Sequence, residues 1–141
     1  MYDHPSAAEL IAAARMQLEQ LVIPSITEPR LRFQTLVAAN VLAIVERELA
    51  AGQAHLAAAW QRAAELQGDP NDQPAGEALH AAVAAQARRL CADIRTGAYD
   101  DQPRSRALLG HLRRTAEEEL VVANPRFLER MQGERPCNGK L

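Results

Sequence analysis

The chain has 141 residues, 48% apolar and only 4% aromatic, with a formal net charge of −2 and a pI near 6.1. That length suffices for one domain with its own core, and the slightly acidic balance does not suggest the concentrated basic face that nucleic acid requires. Two cysteines, Cys91 and Cys137, are too few for a disulfide framework or a zinc site and are read as reduced thiols.

Helix-forming residues dominate and the β-branched, aromatic runs of strands are missing, so the expected class is all-α. The opening MYDHPSAAEL has no cationic region leading into an apolar one, and no apolar run approaches bilayer length. The expectation is a cytoplasmic protein that does not enter membranes.

Ser6 followed by Glu9 forms a capping box that starts a first helix near Ala7. Ala7, Leu10, Ala14, Leu18, Leu21 and Val22 make its apolar stripe, and Pro24 ends it. Thr27 is the expected N-cap of a second helix, with Pro29 in its first turn and Gly52 as its C-terminal cap. This helix is apolar on two sides, one carrying Phe33, Val37 and Ile44, the other Leu31, Ala38, Leu42, Val45 and Leu49. Only the sector of Arg32, Thr35 and Glu46 reads as outward-facing, the mark of a helix central to a bundle or in contact with a partner.

A third helix is expected over about 53–67, with Leu56, Trp60 and Ala63 inward and Gly68 closing it. GDPNDQP, residues 68–74, is the clearest loop. A fourth helix, about 75–96, carries Leu79, Val83, Ala87, Leu90 and Ile94 and stops at Gly97. A fifth, about 104–123, carries Leu108, Leu109, Leu112, Ala116 and Leu120 and is broken by Asn124 and Pro125. The tail from Leu128 onward lacks periodicity. The expected organisation is thus a single-domain bundle of about five helices over 1–127, with a long central second helix and a flexible tail over 128–141.

No glycine-rich phosphate loop, GxSxG elbow, HExxH or close Cys/His cluster occurs, and His4, His55, His80 and His111 are scattered, so no metal or cofactor is expected. What stands out is polar groups on apolar faces. Asn40 lies beside Phe33 and Ile44, with Arg47 two turns further on, and Glu119 lies close to the Leu108 and Leu112 direction. A buried amide needs hydrogen-bond partners; on an exposed face it sets register and specificity instead. Arg126 and Phe127, after the Asn124–Pro125 break, combine the guanidinium and aromatic groups favoured at interface hot spots. Glu46 or Glu119 would serve as a general base only in a cleft that raises its pKa.

MYDHPSAAELI, RLRF with VAANVLAIVEREL, and ANPRF resemble blocks of a bacterial family of small proteins described as a domain of unknown function. The resemblance marks Arg32, Phe33, Asn40, Glu46, Arg47 and the group Asn124, Pro125, Arg126 and Phe127 as motif positions. Members are encoded beside an aminoglycoside-phosphotransferase-type kinase and an acyl-CoA dehydrogenase. The chain is also similar to the small subunit accompanying such a kinase in levulinate catabolism, where a 4-hydroxyacyl-CoA is phosphorylated. The resemblance therefore implies a non-catalytic accessory subunit of a kinase acting on hydroxyacyl-CoA, with Asn40 and Arg47 setting the contact and Arg126 and Phe127 as secondary anchors. The alternatives are an independent helical acyl-chain or acyl-CoA binder and a homo-oligomeric structural module.

Overall fold

The computed structural model describes residues 4–69 and 72–133. They form α1 (Ala7–Gln17), a π-helical turn (Leu18–Val22), α2 (Ile23–Ser25), α3 (Pro29–Gln67), α4 (Glu77–Arg95), α5 (Gln102–Ala123) and α6 (Pro125–Gly133), with no strand among the described residues. The class is all-α and a long helix dominates it, as the sequence leads one to expect. Cys137 and the rest of the expected tail beyond residue 133 lie outside the described residues, as do the first three residues of the N-terminal block and two residues of the GDPNDQP loop.

The chain divides into two compact units, Met1–Gly52 and Gln53–Leu141, and α3 contributes to both. Gly52 does not end a helix: α3 runs through it for 39 residues in all. A glycine inside a helix costs about 1 kcal/mol relative to alanine, and the alanines at 50, 51 and 54 flanking this one favour helix enough to absorb that.

In the first unit, the Ser6 hydroxyl accepts from the Glu9 amide and the Glu9 carboxylate accepts from the Ser6 amide, completing the capping box. The helix passes from α1 through the π-helical turn into α2 and stops where Ile26 turns extended. Glu28, rather than Thr27, caps α3: its carboxylate accepts from the amides of Arg30 and Leu31. A carboxylate also suits the positive end of the helix dipole.

The facing of both helices differs from the apolar stripes. Leu10 of α1 and Leu21 of the π-helical turn are exposed, while Ile11, Arg15, Leu18 and Val22 are half-buried. On α3 two of the residues read as outward, Thr35 and Glu46, lie on the side that packs, while Arg32 is exposed. Glu46 accepts from Arg15, Nε to Oε1 at 2.6 Å and Nη2 to Oε2 at 3.1 Å, and the same side, at helical spacing, carries Ala39, only 2% exposed, and half-buried Thr35. A small residue lets a neighbouring backbone approach closely, and the planar guanidinium fork gives the contact a fixed geometry. Thr35 Oγ1 donates to the Leu31 carbonyl at 2.8 Å, which satisfies its hydroxyl within the helix. The apolar sides of this part of α3 are left exposed, Phe33 at 67% and Val41 at 51%.

The second unit holds the larger core. Trp60 and Ala64 of α3 pack on Leu79 of α4, with Leu56, Ala57, Ala82 and Val83 around them. Leu90 of α4, Leu108 of α5 and Tyr99 between them form a further cluster, and the Tyr99 hydroxyl donates to the Leu66 carbonyl at 3.4 Å. Gly97 takes φ of 80°, a left-handed conformation that closes α4 and that glycine adopts without steric cost. Asp101 caps α5 by accepting from the Arg104 amide at 3.0 Å. At the Asn124–Pro125 break the chain restarts at once as α6: Asn124 Oδ1 accepts from the Phe127 amide at 3.2 Å, and Pro125 occupies the first helical position, where no amide is needed. α6 reaches Gly133 and buries Leu128, so the first residues of the expected tail are helical.

Candidate functional site

The densest array of ionisable groups lies inside the second unit, between the end of α3 and α5. Residues 108, 111, 115, 118 and 122 of α5 recur at helical spacing and supply Leu108, His111, Thr115, Glu118 and Val122 to one side. Glu118, 9% exposed, is the buried charged residue of the described chain. Arg62 of α3 grips it with both terminal nitrogens, Nη1 to Oε1 at 3.0 Å and Nη2 to Oε2 at 2.6 Å, and Nη2 also donates to Thr115 Oγ1 at 3.4 Å. Arg114 Nε adds a donor to Glu118 Oε1 at 3.3 Å.

Burial alone would push the Glu118 carboxyl up. The Arg62 hydrogen bonds and charge, joined by His55 and Arg114, outweigh burial and hold it below the ordinary carboxylate range. Burial, reinforced by the Arg62 charge and opposed by Glu118, pushes the neighbouring His111 imidazole down. The carboxylate therefore stays ionised and the imidazole neutral near pH 7, which fits a charge-paired clamp between α3 and α5 better than proton transfer. Structural ion-pair networks shift pKa values as active sites do.

The sign of the His111 effect is fixed. Its folded pKa lies below the unfolded value of 6.5, so the unfolded chain binds the proton more readily and acidification favours unfolding. Stability is expected to fall as pH drops from about 7 toward 5, and His111→Leu is expected to flatten that decline. Urea unfolding of both proteins across this range checks it.

The residues marked in the sequence do not gather around this clamp. Arg32, Phe33 and Asn40 are exposed on α3 in the first unit. Since Asn40 is exposed, its amide needs no protein partner. Glu46 is tied to Arg15, whose hydrogen bonds hold its carboxyl below the ordinary range against a smaller opposing effect of burial, which is the wrong direction for a general base. Arg47 is half-buried. Glu119 is exposed; the carboxylate turned inward on α5 is its neighbour Glu118. Asn124 and Pro125 form the start of α6, Arg126 is exposed, and the Arg130 guanidinium lies 5.7 Å from the centre of the Phe127 ring.

The second unit also has an open cleft lined by Leu66, Tyr99, Arg104 and Ala107, with the acids Glu65 and Asp93 on its walls. One arginine, already donating to the Ala98 carbonyl and paired with Asp101, faces two acids there, a poor match for the phosphates of coenzyme A. No group of three or more potential metal ligands occurs among the described residues, and no described helix is long and apolar enough to cross a membrane.

These features define an all-helical protein whose helices are joined by apolar clusters and ion pairs, with apolar side chains left exposed on several of them. Residues 25–127 match the model of a family described as a domain of unknown function, DUF6285, and the chain belongs to that family. The match contains α3, α4 and α5 whole and leaves out α1. No curated protein and no solved structure matches the chain.

Proposed function

We propose that this chain is a non-catalytic accessory subunit of an aminoglycoside-phosphotransferase-type kinase that acts on hydroxyacyl-CoA. The kinase and its substrate class come from the family resemblance of the sequence blocks. The observation that carries a partner-binding role is the surface of α6, where Phe127 and Met131 are exposed beside Arg126 and Arg130. Aromatic and arginine side chains carry much of the energy of protein interfaces because they bury large areas while ordering few torsions. The α6 surface thus offers anchors of the right chemistry on a short helix that Leu128 fixes to the fold.

Phe127→Ala and Arg126→Ala are each expected to weaken association with the kinase by about 2 kcal/mol, or roughly thirtyfold. Both side chains are substantially exposed, so unfolding should be little changed. Titration of the purified kinase with each variant measures the effect. Unaltered affinity in both would remove α6 from the contact.

A further inference from the structure

The first unit carries a second apolar surface, and its pattern is self-complementary. Phe33, Val37, Asn40 and Ile44 follow one another at spacings of four, three and four residues, flanked by Leu36 and Val41. Phe33, Leu36, Val37, Asn40 and Val41 are exposed and Ile44 is half-buried. Such a seam is the pattern by which one helix packs along another. Exposed apolar patches beyond a few hundred Å² mark interaction sites on monomers.

The charges at the ends of the seam indicate what covers it. Arg30 precedes the seam and Glu48 follows it, eighteen residues apart, which is about five turns, so both lie on the same flank of α3. Both side chains are exposed. A second α3 laid antiparallel along the first sets Arg30 of each copy toward Glu48 of the other, twice over by the two-fold axis. In a parallel two-fold pair the equivalent flanks lie on opposite sides of the contact, so these Arg30–Glu48 pairs would not form. Asn40 lies within one residue of the midpoint between the two charges and so falls near the axis. An amide there offers both a donor and an acceptor to its counterpart, and a single polar residue in an apolar seam fixes register and orientation.

We infer that the Phe33–Ile44 face of α3 is a homodimer contact, in which two copies of this chain pair antiparallel about a two-fold axis near Asn40. The contact is isologous, as in most two-fold dimers. The inference does not depend on the kinase.

Sedimentation equilibrium of the full chain under reducing conditions, over about 1–100 µM, tests it. The expected result is a monomer–dimer equilibrium. Val37→Asp is expected to raise the dissociation constant at least about a hundredfold with helical content unchanged, because an unpaired carboxylate would be buried. Arg30→Glu is expected to weaken the dimer about tenfold, and adding Glu48→Arg in the same chain to restore it. Three results would overturn the proposal: a monomer at every concentration, including one whose α3 face is covered by another segment of the chain; a dimer indifferent to Val37→Asp; or a dimer that Arg30→Glu leaves unchanged or strengthens, which excludes the antiparallel Arg30–Glu48 contact.

Discussion

Arg62→Met is expected to cost about 3 kcal/mol of stability, because it leaves the buried Glu118 carboxylate without its principal partner. The double variant Arg62→Met/Glu118→Leu should lose less than the single one, since it removes the charge as well as its partner and fills the space with apolar atoms. With Glu118→Leu alone as the third variant, the departure of the double variant from the sum of the two single ones is the coupling energy of the pair. Trp60, the only tryptophan of the chain, lies in the same unit and reports unfolding in urea by its fluorescence. The pH dependence follows from the lowered Glu118 pKa. The pair contributes fully above the unfolded value of 4.5, and the contribution disappears as pH falls through the lower folded value. Parent and Arg62→Met should therefore converge in acid.

Trp60→Ala is expected to destabilise the second unit by about 3–5 kcal/mol, the range for truncating a buried aromatic side chain. Its neighbours Ala64, Leu79, Leu56, Ala57, Ala82 and Val83 are small or medium-sized and fixed on two helices, so they can fill little of the space left behind. Trp60→Phe keeps part of the volume and should cost distinctly less. Thermal unfolding followed by helical circular dichroism compares the three proteins without the indole signal. Equal stability of Trp60→Ala and the parent would show that this cluster is not what holds α3 to α4.

The helical class, the Ser6–Glu9 cap, the Asn124–Pro125 break and the core positions Trp60, Leu79, Leu90 and Leu108 were legible because each rests on local chemistry or on an unambiguous apolar period. The facing of α1 and α3 was not. α3 is apolar on most of its circumference, so hydrophobicity alone does not choose a packed side. Ala39 and the Arg15–Glu46 pair choose it instead, by close approach and fixed ion-pair geometry. The Arg62–Glu118 clamp was missed for a related reason. The leucines at 109 and 112 draw the apolar stripe of α5 to one side, whereas the inward side is the 108, 111, 115, 118, 122 series with three polar members. The spacing from Leu108 through Thr115 to Val122 is the signal that points to Glu118 rather than Glu119. Gly52 resembles a cap because glycine commonly ends helices, but a cap also needs a following segment that leaves the helix, and the residues after Gly52 are strong helix formers.

An exposed, patterned surface on each unit, with the titratable groups of the clamp committed to ion pairing, gives the partner-binding account its physical basis. Its most direct test is the phosphorylation rate of a hydroxyacyl-CoA by a purified kinase of the proposed phosphotransferase type, measured with and without the chain added in equimolar amount. The account predicts a stable complex whose turnover depends on the chain and falls when Phe127 is replaced by alanine. A kinase that forms no complex with the chain and turns over at the same rate in its absence would contradict it.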